Sequence, residues 1–478
     1  MHRIRAIIYF SVLMTMGFPV IFFLSCSKNS LNGRIVFTLV PGKLQDLNFV
    51  TGDFWRFIPR AQILYIDPDN PDQSAEVLTK EFFSACSPEI SYDGRFMLFS
   101  AQKKQNDSWQ IWEMNLKNLK TRQIITSGEN SVDPVYLPDN RLLFSKLVLN
   151  DSLKAGYSLY TCNLDGSDEK RITFNPNTYF ASTILNDGRI LSISRQIYPE
   201  QEKEIYMVLR PDGTKAELFY KSAEGKILIS RPRETNDGKM VFIESGNANN
   251  EADNLVSVSY NRPLHSMTNL SSEIKGYFCS AFPMHSGMLL ITWRKSDADR
   301  YALYEFDPES ILPGKVVYSN PDYNLIDAVI VEKRNRPRKL PSEVDTGVKT
   351  GLLLCLNINF SGLQSSGNTF LLPVAARIEV LGIDSTLGVV KVEDDGSFYL
   401  KLMADEPFRI QTIDNNGHVL KGPCDWIWLR PNERRGCTGC HEDPECVPDN
   451  RVPLSVKKPP VSMPVHVTKV REKGVDLE

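Results

Sequence analysis

The residues best suited to chemistry stand together near the end of the sequence, at Cys437-Thr438-Gly439-Cys440-His441. Two thiols separated by two residues and followed at once by an imidazole can form thioethers to both vinyl groups of a haem while the histidine ligates its iron. Thr438 and Gly439 are small enough to let the loop pass close to the porphyrin edge. With nine cysteines and six histidines in 478 residues, chance is a poor explanation for the pattern. Two other uses of such a pattern fit less well. A structural zinc site wants a second cysteine pair or further histidines at short range, and only Cys446 is near. A redox dithiol usually sits on a helix after a strand of a βαβ unit, and the surrounding sequence reads as strands. The expected cofactor is one covalent haem c on Cys437 and Cys440, with His441 on the iron.

The second axial position is open. Met463 and His466 follow His441 by 22 and 25 residues, and Met403 and His418 lie upstream. Methionine would raise the potential and suit electron transfer, whereas a vacant position suits catalysis or gas sensing. A zinc ion beside the haem, held by Cys355 with His441 or a carboxylate, is a further metal alternative. Arg430, Arg434 and Arg435 lead into the motif as partners for haem propionates, as a docking patch, or as a solvated charge run.

Haem attachment of this kind takes place outside the cytoplasm, and the first residues supply an export signal. His2, Arg3 and Arg5 precede an apolar run from Ala6 to Leu24, which an uncleaved anchor would also show. Phe23-Leu24-Ser25-Cys26 resembles the lipobox of bacterial lipoproteins, in which the cysteine is lipidated and becomes the mature N-terminus. The expectation is a signal peptide over 1–25, lipidation at Cys26 and a tether over 26–32. Ser27 rather than aspartate after the cysteine implies, by that resemblance, the outer membrane over the inner one, and the expected place of the body is the periplasmic side. The rest is of ordinary globular composition, 42% apolar and 24% charged. That excludes disorder, and a net charge of -3 argues against nucleic acid as a partner.

The elements that must carry the motif begin with a repeat. Asp93-Gly94-Arg95, Asp139-Asn140-Arg141, Asp187-Gly188-Arg189 and Asp237-Gly238-Lys239 recur at 46, 48 and 50 residues, with a degenerate His285-Ser286-Gly287 after them. Each is a hairpin turn between strand-like runs, such as Pro88–Ser91 before and Phe96–Phe99 after, with Gln110-Ile111-Trp112 third and Gln123–Thr126 fourth. Four strands per unit of this length predict propeller blades, six of them over 33–335 when the opening copy at Arg34–Phe37 and Gln62–Asp67 is included. The stretch Ser87–Thr126 resembles the TolB-type propeller repeat. The turn aspartates read as turn formers, and no phosphate loop or nucleophile elbow occurs here.

A basic, proline-marked stretch from Arg334 to Pro341 opens a linker over 336–350. Alternating runs at Leu352–Ile358, Ala376–Val380, Gly388–Val392, Ser397–Leu402 and Phe408–Ile413 predict a small β-sandwich over 351–430. Trp426 and Trp428 flank Ile427 as in a terminal strand, expected to pack forward on the segment after it. The haem segment and a proline-rich tail occupy 431–478. The predicted class is thus all-β: a six-bladed TolB-like propeller, a sandwich and a C-terminal CxxCH segment.

Trp426–Gly436 before the motif, Glu442 and Asn450–Leu454 after it, and Asp395–Phe398 upstream resemble the middle domain of the hydrazine synthase alpha-subunit family over roughly 330–460. The resemblance implies a c-type haem at Cys437 and Cys440. It implies shared architecture rather than hydrazine synthesis, which belongs to multi-subunit, multi-haem assemblies. The leading expectation is a lipid-anchored monohaem cytochrome of the envelope whose propeller docks a redox partner. Two alternatives stand beside it: a haem enzyme with an open iron acting on a small nitrogenous or peroxide substrate, and a TolB-like envelope scaffold. Cys86, Cys162, Cys279, Cys355, Cys424 and Cys446 have no spacing that dictates a pairing.

Overall fold

A computed structural model describes residues 31–44, 58–70, 74–150, 153–246, 252–310, 313–360, 374–439, 445 and 450–464. Cys26, Cys440, His441, Cys446 and His466 lie outside the described residues, as do the export segment and the 465–478 tail. Among the described residues no helix is long and apolar enough to cross a membrane.

The described residues from Ile35 to Ile330 build six antiparallel sheets in chain order, each of four or five strands. One copy shows the logic. Ser84–Ile90 runs innermost and pairs with Phe96–Gln102, then Gln110–Asn115, then the short Thr121–Gln123. The innermost strands are buried along their length, as a strand lining a packed propeller axis must be. Several carry a β-bulge, and Ser87, Asp133, Ala181 and Asp327 take φ of 58, 61, 54 and 51° at or beside it. The extra residue bends the strand toward its neighbours around the axis.

The turns are made as the repeat implied. Asp93 and Asp187 each accept the amide of the arginine two residues on, at 3.1 and 2.9 Å, and Gly94 and Gly188 take φ of 70 and 92°. The fourth strands are shorter than expected for a chemical reason. Ile63, Leu159 and Leu255 donate their amides to the hydroxyls of Thr79, Thr173 and Ser271, each at 2.9 Å. A side-chain hydroxyl therefore takes over where the ladder stops. The ring is closed by a strand that the repeat did not reveal. Tyr323–Ile330 pairs with Ile35–Pro41, so the first sheet holds both ends of the propeller chain.

Charge fills the axis. Glu89, only 5% exposed, faces Arg231 and Arg233 across 3.1 Å each and Arg334 across 2.8 Å. Arg231 also pairs with Asp133, which is fully buried. Burial pushes the Glu89 carboxyl up, but Arg233, Arg334 and Arg231 together outweigh it and bring its pKa down to about 2.

Arg334 belongs to the stretch expected as a linker, and that stretch lies bonded along the propeller. Its amide donates to Tyr92 O at 2.9 Å, Arg336 donates to Pro138 O at 2.9 Å, and the Arg338 amide donates to Asn186 O at 3.1 Å. It thus visits the turns of three successive sheets. Gly188 is needed twice, because a Cβ there would stand 2.1 Å from Arg338 O in addition to the positive φ.

Beyond it, two four-stranded sheets face one another. Thr350–Cys355 and Phe398–Met403 form the middle of one, and Arg377–Leu381 and Arg409–Ile413 the middle of the other. Leu353, Leu400, Ile378 and Val380, all fully buried, pack between them. The sandwich does not end at 430: Arg434–Cys437 pairs parallel to Thr350–Cys355, and Val461–Ser462 pairs parallel to Phe398–Met403.

The central ion cluster can be tested directly. Because the Glu89 pKa is depressed from 4.5 to about 2, its contribution is fully present above pH 4.5 and is lost as pH falls toward 2. That window is worth about 3 kcal/mol. Glu89→Gln should destabilise the protein by about 3–5 kcal/mol at pH 7, and denaturant unfolding of the variant should show a shallower loss between pH 4.5 and 2. Equal stability of the two proteins at pH 7 would contradict this assignment.

Candidate functional site

The start of the Cys437–His441 motif is held by a sheet. Cys437 ends the strand Arg434–Cys437 and stands in register with Cys355. The pairing continues one residue into the motif, since the amides of Leu356 and Asn357 donate to Cys437 O and Thr438 O at 2.9 and 3.1 Å. Cys437 and Thr438 therefore leave the sandwich from a fixed edge. The partner strand is itself the middle strand of its sheet, buried against Phe398 and Leu400.

On this edge opens a cavity of about 400 Å³. Leu353, Ile358, Phe398 and Ile410 of the sandwich form an apolar floor, with Cys437 and Gly439 on one wall. The facing wall is Ile205, Leu218 and Lys221, from the fourth sheet of the propeller. Apolar walls, a thiol of the motif and charge at the rim, where Lys221 stands with Asp425, are compatible with a flat macrocycle carrying charged propionates. The residues present thus fit a haem. Cys355 and Cys424 share the cavity with Cys437, and the Cys424 sulfur accepts the Ile410 amide at 3.2 Å. Cys424 carries no spacing signal toward the motif, so only the fold brings it there.

Of the second axial candidates, Met463 is buried in the sandwich core with its amide on Lys401 O at 2.9 Å, and it does not line this cavity. Met403 points away from the core on a strand whose alternate residues are buried. His418 is exposed and bonded to Asp414 at 3.1 Å. Cys355 is buried beside Cys437, but among the described residues no three His, Cys, Asp or Glu side chains are grouped to hold a metal ion.

The arginines before the motif divide. Arg430 holds Asp405 at 2.6 Å and Asp212 O at 2.9 Å. Arg435 holds Glu433 through two bonds, at 2.7 and 2.9 Å. These two are structural ion-pair partners rather than a docking patch or a solvated run, and only Arg434 is exposed. Glu433 is the residue that sequence reasoning missed. It is 1% exposed and also accepts the amides of Lys215 and Arg430, at 2.8 and 2.7 Å. One carboxylate thereby ties the strand that carries Cys437 to the propeller. The tryptophans correct another expectation. They pack back onto the propeller instead of forward: Trp428 is buried among Val135, Leu159, Tyr179 and Leu209, and the Trp426 indole donates to Tyr198 O at 2.8 Å. The reason is apolar area, because Val135, Leu159, Tyr179 and Leu209 on the propeller flank offer a surface against which Trp428 is buried.

Beyond the motif, Glu445 accepts the Leu264 amide at 2.8 Å and meets Arg262 at 3.4 Å, so this side too is tied to the propeller.

Comparison with known proteins agrees with this arrangement. Residues 333–442 match the hydrazine synthase alpha subunit middle domain, as the sequence resemblance implied. Over 77% of its length the chain is 20% identical to hydrazine synthase subunit alpha of Kuenenia stuttgartiensis, and it spans 61% of that relative. The solved hydrazine synthase of Kuenenia stuttgartiensis superposes with a TM-score of 0.74 at 18% identity, over 89% of this chain and 71% of that one. TolB from Acinetobacter baumannii gives a TM-score of 0.42 at 14% identity, over 63% of this chain and 66% of its own. The first superposition establishes a shared fold for propeller and sandwich together.

Glu433→Ala leaves Arg435 unpaired and two amides unanswered in a dry place. We expect a loss of about 3–5 kcal/mol in denaturant unfolding. A loss below about 1 kcal/mol, the size of an exposed pair, would show that the tie is not made.

Proposed function

We propose that this chain is a lipid-anchored haem c protein of the cell envelope that passes single electrons, with the propeller as the platform for its redox partner. The observation that carries the reading is the position of Cys437 and Gly439 on an apolar cavity walled by both sandwich and propeller. When bound there, the haem would supply one-electron chemistry. The chain's own part is to fix Cys437 through the strand pairing with Thr350–Cys355, to exclude water with Leu353, Phe398 and Ile410, and to set Lys221 at the rim. Cys440 is the second thioether position, His441 the iron ligand and Cys26 the lipidated residue, all on the sequence evidence. The lipid chains anchor the body at the outer membrane, facing the periplasm.

A second reading gains from one observation. Met463 is occupied in the sandwich core and Met403 and His418 face solvent, so none of the three stands on the cavity. Of the sequence candidates, His466 would remain as a second ligand to a bound haem. An open iron would bind a small nitrogenous or peroxide substrate instead of serving transfer alone. Hydrazine synthase names the activity of the relative. This chain spans part of that relative and carries one CxxCH motif, so its own reaction is proposed no further than that class.

Expression in a host with haem attachment machinery should yield a chain that keeps its haem stain after denaturing electrophoresis, and Cys437→Ala should weaken or abolish that stain. A stain equal to wild type in the variant would overturn the haem assignment. On the stained protein, a reduced spectrum unchanged by carbon monoxide marks the electron carrier, and a carbon monoxide shift marks the open site.

A further inference from the structure

The sheet that leads into the motif sets two cysteines side by side. Cys437 closes the strand Arg434–Cys437, and its register partner on Thr350–Cys355 is Cys355. Neighbouring strands stand about 4.8 Å apart, and register partners send their side chains to the same face. Here that face is the inner one, because Cys355 lies in the sandwich core with Leu353, and Cys437 packs against the same cluster. Both also line the cavity of about 400 Å³. A disulfide asks for Cα atoms roughly 4.4–6.8 Å apart with both Cβ atoms turned to one side. Two parallel strands in register meet both conditions.

Cys424 lines the cavity too, but it is held to the other sheet. Its amide donates to Ile410 O at 2.9 Å, its sulfur accepts the Ile410 amide at 3.2 Å, and Ile410 belongs to Arg409–Ile413. Sheets packed face to face stand about 10 Å apart, beyond the roughly 7 Å that a disulfide spans without backbone movement. The register thus singles out Cys355 from the two cysteines that share the cavity with Cys437. The pair also differs in access. Cys355 is 1% exposed, whereas Cys437 is half-buried at the end of its strand, so a reagent meets Cys437 first.

We propose that Cys355 and Cys437 are a dithiol pair that closes into a disulfide when no haem occupies Cys437. The oxidant is itself a disulfide, of a small molecule or a protein. The Cys437 thiolate attacks one of its sulfurs, forming a mixed disulfide and expelling the first thiolate. The Cys355 thiolate then attacks the Cys437 sulfur and expels the second. The two cysteine protons pass to the two expelled thiolates; the pair loses two electrons and the oxidant gains them. The pairing stands on the register alone. Its consequence, that a thiol reductant must release Cys437 before a thioether can form there, rests on the haem reading proposed above.

The full-length protein, purified without haem from a host lacking attachment machinery, is reduced and then exposed to glutathione disulfide. Peptide mapping by tandem mass spectrometry, with remaining thiols alkylated, should find Cys355 joined to Cys437 in most chains. A dithiol reductant should then cut the amount of that link at least ten-fold. Cys437 joined instead to Cys440 or Cys424, left as a glutathione adduct, or alkylated throughout would overturn the pairing. In a host with the machinery and no added reductant, Cys355→Ser should raise the haem stain per chain by about two-fold or more. An unchanged stain in the folded variant would overturn the consequence for attachment. Absence of stain from both proteins would count against the haem reading, and the mapped link would still decide the pairing.

Discussion

At the centre of the propeller a carboxylate nearly cut off from water is held by three guanidinium groups, and the placement of everything beyond residue 330 depends on it. Arg231 and Arg233 come from the fifth sheet, but Arg334 comes from the chain that has just left the ring. Arg334 adds a third guanidinium to this buried carboxylate, and the outgoing chain lies bonded across the propeller face. From Arg334 it meets the turns at Tyr92, Pro138 and Asn186 in succession, and Glu343 then meets Asp212 through its amide at 2.7 Å. By that point the chain has been delivered to the flank on which the sandwich sits.

What the delivery accomplishes is a cavity with two owners. The sandwich supplies the floor and Cys437, and the fourth propeller sheet supplies the opposite wall. Neither unit encloses it alone. Glu433 and Trp428 fasten the seam from opposite chemistries, one a buried ion pair with backbone donors and the other apolar area in the propeller flank.

Much of this was legible in the sequence, and the reasons differ by element. Strands and turns were read from local chemistry: Asp187-Gly188 encodes its hairpin through an aspartate that accepts the Arg189 amide and a glycine free to take positive φ. The closing strand Tyr323–Ile330 was hidden because its partner stands some 290 residues earlier, and no local pattern records a pairing at that distance. Arg334–Pro341 carries the composition of a free linker, since proline and arginine suit a solvated chain as well as one bonded to a propeller face. Cys437 announced itself by spacing. Glu433 and Cys424 did not, because their places come from what the fold sets against them: Lys215 and Arg435 for one, the cavity beside Cys437 for the other.

The central claim is that a haem on Cys437 lies against the propeller and not only within the sandwich. The midpoint potential of the haem in Lys221→Glu, compared with wild type, measures this most directly, because charge beside a haem shifts its potential and charge far from it is screened. A clear shift to lower potential in the variant, with the spectrum otherwise unchanged, is the predicted result. An identical potential in the two proteins would contradict the account.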